Sequence, residues 1–218
     1  MRDLTLLDLI GSLLWATQWT IVLSLVALIG GSILGLILTL MRISSHRSIR
    51  WLGRMYIEFI QGTPLLLQIF VIFFGIPILA GFDVPAWISA SIALIAYTSA
   101  FLADIWRGSV EAIPKSQWEA GTSLGLSYIQ QFRYVIAPQA IKISIPPSIG
   151  FSVQVIKNTS LTSIIGFVEL TRQAQILNNV TFRPFLTFSL VGAIYFALCY
   201  PLSLYSKTLE EKMSHGRQ

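Results

Sequence analysis

Charge is what this sequence has least of. Only 11% of its 218 residues are Asp, Glu, Lys or Arg, where an average soluble domain carries about 25%. A dispersed globule needs charge on roughly 25 to 35% of its surface, so a soluble domain is excluded. Cysteine is nearly absent too: Cys199 has no partner for an intramolecular disulfide and lies in a hydrophobic run, where it reads as a packing residue. Histidine is limited to His46 and His215, which argues against a bis-histidine haem or a His-rich metal centre. No GxxxxGK[ST] loop occurs, so no nucleotide site is expected in this chain. The net charge of +5 comes without a dense Lys/Arg cluster interleaved with aromatics, so nucleic acid is not an expected partner.

What is present is apolar sequence, 54% of the chain. A bilayer core needs about 20 mainly apolar residues per helix, and five stretches qualify: Thr20 to Met41, Tyr56 to Leu79, Pro85 to Trp106, the less apolar Ile141 to Gly166, and Phe185 to Tyr205. Leu4 to Trp15 is a shorter apolar stretch, expected to lie along the interface before the first span. Met1-Arg2-Asp3 and the sequence after it lack the pattern of a cleaved signal, so the first span is expected to be retained. The expectation is an all-α membrane protein with residues 1–218 forming a single domain.

Basic residues orient the spans, because loops rich in Lys and Arg stay on the cytoplasmic side. Arg42, Arg47, Arg50, Arg54, Arg107, Lys115, Arg133, Lys142, Lys207, Lys212 and Arg217 share one side, against Arg2, Arg172 and Arg183 on the other. The N-terminus is expected outside and the C-terminus in the cytoplasm. Trp19, Trp51, Tyr56, Trp87, Trp106 and Tyr205 near span ends fit an interfacial aromatic belt.

The cytoplasmic segment of about residues 107–140 carries more structure than a connector needs. Glu119-Ala120-Gly121-Thr122-Ser123-Leu124-Gly125 reads as a short helix closed by a glycine. Ser127 then caps a second helix with Phe132, Val135 and Ile136, and Pro138 follows one turn on.

Glu119-Ala120, Leu124-Gly125, Phe132, Val135 and Pro138 resemble the EAA loop of the permeases of ABC importers, with Gly121 standing where that family has a second alanine. Glu58-Phe59-Ile60-Gln61-Gly62-Thr63-Pro64-Leu65-Leu66-Leu67-Gln68 is similar to the E-x-x-R-G-T-P-L-L-x-Q signature of the polar amino acid permeases, with Gln61 in place of the arginine. Asp104 to Gly108, Gln117 to Ala140 and Lys157-Asn158-Thr159-Ser160-Leu161 extend the likeness to nearly the whole chain after span one.

The resemblance implies a type I importer domain of five spans. Glu119, Ala120, Gly121, Leu124 and Gly125 would dock on an ATPase subunit, which would hold ATP-Mg; no cofactor would be bound by this chain. It implies a second permease subunit, identical or related, an external solute-binding protein, and placement in the bacterial inner membrane among its lipids. Glu58, Gly62, Thr63, Gln68, Asn158, Thr159 and Ser160 are the residues it sets beside an amino acid substrate.

Chemistry bears on those residues separately. An ionisable group in a span is a functional candidate, since placing it at the bilayer centre costs about 3 kcal/mol or more. Glu58, Asp104 and Lys157 qualify, although Glu58 and Asp104 fall near span ends and Asp104 is one turn from Arg107. Glu169 is expected beyond span four, facing solvent or Arg172. Asn158, Thr159 and Ser160 offer donors and acceptors that suit either a substrate or a neighbouring helix. Pro146-Pro147 loosens the start of span four. A self-contained channel or secondary carrier is the alternative, but no paired internal repeat supports it. A membrane anchor for a redox complex is a further one.

Overall fold

The computed structural model describes residues 5–215. Met1-Arg2-Asp3 and Arg217 lie outside the described residues, as does the side chain of His215. No strand occurs among the described residues.

Helix α1 runs from Leu6 to Ile43 without a break. Thr5 and Asp8 form a reciprocal capping box at its start. Leu4 to Trp15 was expected to lie apart from the first span, yet the described part of it forms the first turns of this same helix. Nothing between Trp15 and Thr20 stops a helix, and the Thr17 hydroxyl donates to the Leu13 carbonyl at 2.8 Å. Leu9 and Leu13 are buried with Leu170, Ala174, Leu177 and Val191, so packing against later helices supports the stretch as part of α1.

Helix α2 (Arg47–Gln61) and α3 (Leu65–Phe70) follow, then a π-helical turn (Val71–Gly75) and α4 (Ile76–Ala80), ended by Gly81 at φ 75°. The limb Leu65–Ala80 turns 99° away from α2. The second expected span, Tyr56 to Leu79, is therefore not one straight helix.

Helix α5 (Ala86–Glu111) packs along α1 more extensively than any other pair. Their closeness is written in small residues: a β-carbon at Gly31 would stand 2.5 Å from Thr98 Cγ2, and one at Gly35 would stand 3.1 Å from the Ser99 carbonyl oxygen. Leu23 and Ala27 of α1, Leu65 and Ile69 of α3 and Ala90, Ala93 and Leu94 of α5 share a core with Val155 and Ile165 from later in the chain.

Helices α6 (Lys115–Ser123) and α7 (Tyr128–Gln131) precede a π-helical turn (Phe132–Ile136) and α8 (Ala137–Asn158). Pro146 and Pro147 lie inside α8 without ending it; Ser206 donates to the Pro146 carbonyl at 2.7 Å from the last helix. A 3-10 segment (Thr159–Ile165), α9 (Leu170–Thr181) and α10 (Pro184–His215) complete the chain. Helices α1, α5 and α10 are long and apolar enough to cross a membrane, and the bent pair of α2 with Leu65–Ala80 is a fourth such element if counted as one span.

Candidate functional site

Two breaks in helical geometry, one between α2 and α3 and one after α8, meet the same core, because α3 packs on the 3-10 segment. The first break follows from Pro64. Proline has no N–H, so the Ile60 carbonyl loses its helical donor. Gln68 restores the bond: its Nε2 donates to the Ile60 carbonyl at 2.8 Å and to the Thr63 carbonyl at 3.1 Å. The Thr63 hydroxyl donates to the Phe59 carbonyl at 3.0 Å. A β-carbon at Gly62 would stand 2.8 Å from the Glu58 carbonyl oxygen, which accounts for a glycine there. Gln68 is buried, and its Oε1 has no partner among the described residues.

Glu58 sits on the far side of this bend, exposed, with the Arg54 Nε 2.6 Å from its carboxylate. Asp104 is paired within its own helix, accepting from Arg107 Nη2 at 2.7 Å, while Arg107 also reaches Glu111.

At the second break the backbone tightens from α to 3-10 geometry. Gln154 Nε2 donates to Asn158 Oδ1 at 3.0 Å. The Thr159 and Ser160 hydroxyls turn back to the Ile156 and Lys157 carbonyls, both at 2.7 Å. Thr159 is fully enclosed, and Asn158 is largely so. Gln154 and Lys157 are exposed, and Lys157 has no ion pair among the described residues. No carboxylate of a neighbouring helix pairs with it among the described residues.

The sequence reading set Glu169 in solvent or against Arg172, and the structure corrects this. Glu169 is wholly buried. It caps α9, accepting from the backbone N–H groups of Thr171 and Arg172 at 2.9 Å each, from the Tyr195 hydroxyl at 3.0 Å and from Thr20 at 3.4 Å. One carboxylate thereby ties α1, α9 and α10 together. The signal available was its place before Leu170, where an acidic N-cap is favoured.

The loop between α5 and α8 has the shape its residues foretell. Gly125, at φ 71°, closes α6: Leu126 N–H donates to the Gly121 carbonyl at 3.1 Å and Gly125 N–H to the Thr122 carbonyl at 2.9 Å, a Schellman pair. Ser127 and Gln130 cap α7 reciprocally. Glu119, Ala120, Leu124 and Gly125 are exposed, and Leu124 retains 78% of its surface. Gly121 faces inward: a β-carbon there would stand 2.9 Å from Gln131 Cγ. Gln131 is held by Nε2 bonds to Thr122 Oγ1 at 3.0 Å and the Leu126 carbonyl at 2.9 Å. The turn at Ser44, Ser45 and His46 borders a hollow shared with Tyr128 and Ile129, so the basic α1–α2 junction and this loop lie at one end of the molecule.

A larger cleft of about 640 Å³ opens between α1 and α8, walled by Ile33, Leu36, Ile141 and Ile145. Its apolar walls do not suit a polar ligand.

Residues 27–215 match the family of binding-protein-dependent transport system inner membrane components. A probable glutamine ABC transporter permease of Bacillus subtilis (strain 168) is 37% identical, the alignment covering 89% of each chain. An L-cystine transport system permease of the same organism is 38% identical over 89% of this chain and 83% of that one. A crystal structure of an amino acid ABC transporter with histidines superposes with a TM-score of 0.90 at 34% identity, covering 97% of this chain and 99% of that one.

Proposed function

This chain belongs to the family of binding-protein-dependent transport system inner membrane components, and from that premise we propose that it is the permease subunit of an ATP-driven importer of polar amino acids. It is a transporter component and not an enzyme. The relatives named for glutamine and L-cystine transport support the substrate class.

The observation that carries the reading is the α6–α7 turn. Glu119, Ala120, Leu124 and Gly125 stand exposed on a rigid Schellman corner, at the same end as Arg42, Arg47, Arg50 and Arg54. An exposed leucine on a cytoplasmic knob is a contact awaiting a protein surface. In our proposal that surface is the ATPase subunit, which holds ATP-Mg. ATP binding draws two ATPases together, the knobs move with them, and the path opens outward to take substrate from an external binding protein; hydrolysis and nucleotide release reverse it. The assembly contains a second permease subunit, and each permease crosses the inner membrane five times with its N-terminus outside. Residues of α8 and its 3-10 segment supply the fifth crossing.

Within the path we propose that Asn158 and Ser160 meet the substrate, beside the exposed Gln154 and Lys157. Gly62, Thr63 and Gln68 hold the bent wall opposite, Thr159 supports Asn158 from within the fold, and Glu58 lies at the cytoplasmic mouth. The test is reconstitution of the chain with its ATPase and binding protein. Glu119→Lys is expected to abolish substrate-stimulated ATP turnover and uptake together. Uptake by the chain alone, or undiminished coupling in the variant, would refute the proposal.

A further inference from the structure

Helix α2 has three faces, and one of them is buried against the rest of the chain. Gly53, Ile57 and Ile60 are buried against α1 and α5, with the Tyr56 hydroxyl beside them sharing a 3.0 Å hydrogen bond with Ser99 Oγ. A second stripe, Leu52, Met55 and Phe59 with Trp51 at its edge, is apolar and open, with Phe59 at 68% exposure. Their spacing of three and four residues sets them on one side of the helix. The third stripe carries Arg47, Arg50 and Arg54, again at helical spacing, with Glu58 following. Over residues 42–61 there are four arginines and one carboxylate.

The 99° turn at Gly62-Thr63-Pro64 sets how this helix lies. If the limb Leu65–Ala80 enters the bilayer, α2 runs across its direction, in the plane of the membrane surface. A helix in that plane with adjacent apolar and basic stripes has the chemistry of an interfacial anchor. We propose that α2 is a lipid-reading element: Leu52, Met55, Phe59 and Trp51 enter the boundary between headgroups and acyl chains, while Arg47 and Arg54 bind the headgroups of anionic phospholipids. Charge complementarity selects this occupant. A polybasic stripe beside an apolar one attracts an anionic leaflet, whereas a neutral lipid would leave the arginines uncompensated. Arg47 has no hydrogen bond or ion pair among the described residues, and Arg54 has only Glu58. Arg50 serves the fold, donating to the Ser44 and Ser45 carbonyls at 2.7 and 2.9 Å. The inference needs a membrane-embedded chain but not the amino acid specificity proposed above.

The experiment places the full chain in nanodiscs of phosphatidylcholine containing phosphatidylglycerol, with one lipid or the other brominated on its acyl chain. The fluorescence of Trp51 is taken as the difference between wild type and Trp51→Phe. Stronger quenching by brominated phosphatidylglycerol than by brominated phosphatidylcholine at equal mole fraction is expected. Arg47→Gln with Arg54→Gln should reduce that preference by about fivefold for each charge removed, while acyl-chain quenching persists. Arg50 is left intact, so the variant keeps its turn. Equal quenching by both lipids would overturn the headgroup preference. Quenching by aqueous iodide with none by bromolipid would overturn the interfacial placement. Protection of Trp51 from both quenchers once ATPase or second permease is added would show a protein occupying the face, and would overturn it as well.

Discussion

The side-chain amide of Gln68 donates to the carbonyl of Ile60 at 2.8 Å, making the hydrogen bond that Pro64 cannot make. The motif Gly62-Thr63-Pro64 through Gln68 is thus a bend together with its own brace. Without that amide the Ile60 carbonyl keeps only a 3.4 Å bond from the Thr63 hydroxyl, and an under-satisfied buried carbonyl costs about 1 to 3 kcal/mol. Gln68→Leu should lower the thermal stability of the detergent-solubilised chain by that order. Gln68→Glu should lower it at least as much, since a carboxylate has no donor for the carbonyls of Ile60 and Thr63. Equal melting temperatures for wild type and both variants would remove the brace from the account.

Gly121 and Gln131 should be coupled. Alanine at position 121 gains about 1 kcal/mol of helix propensity but drives its β-carbon to within 2.9 Å of Gln131 Cγ, displacing an amide that fastens Thr122 and Leu126. Gly121→Ala should therefore speed proteolysis of the α6–α7 turn several-fold. In Gly121→Ala with Gln131→Ala, the cost of the first change should largely disappear. Additive effects across that double-mutant cycle would contradict the contact.

Replacing Glu169 should loosen three helices at once. Glu169→Ala removes the α9 cap, worth about 1 kcal/mol. It also strips an acceptor from the half-buried Tyr195 hydroxyl and from the buried Thr20, each able to add on the order of 1 kcal/mol. Tyr195→Phe alone should cost less, since the cap survives. Calorimetry of the solubilised chain distinguishes the two; identical losses would mean the cap contributes nothing.

Lys157 is exposed and unpaired in the described chain, so Lys157→Met should leave stability within about 0.5 kcal/mol, as for other surface changes. Uptake by the reconstituted importer should suffer by tenfold or more. Loss of stability without loss of transport would assign the residue to folding.

Much of this architecture could be read in advance where local chemistry decides it. Ser127 and Gly125 announce the helix, corner and helix because capping and positive φ act within a few residues. Glu169 could not be read so well. Its burial depends on Thr20 and Tyr195, 149 and 26 residues away in the chain, and no local pattern reports such a meeting. The second span misled for a different reason: hydropathy counts Tyr56 to Leu79 as one apolar run, but the direction of its axis is set by a single missing N–H at Pro64. Glu58 consequently lies outside the limb that enters the core, exposed beside Arg54.

Helix α1 is 38 residues long, roughly 57 Å at 1.5 Å per residue, almost twice the ~30 Å of a hydrocarbon core. It contains neither proline nor kink-forming break between Leu9, clasped by α9 and α10, and Ile43 at the arginine-rich corner. A helix of that length overreaches the hydrocarbon core, so packing on α9 and α10 at one end and on α2 and α5 toward the other falls on a single continuous element.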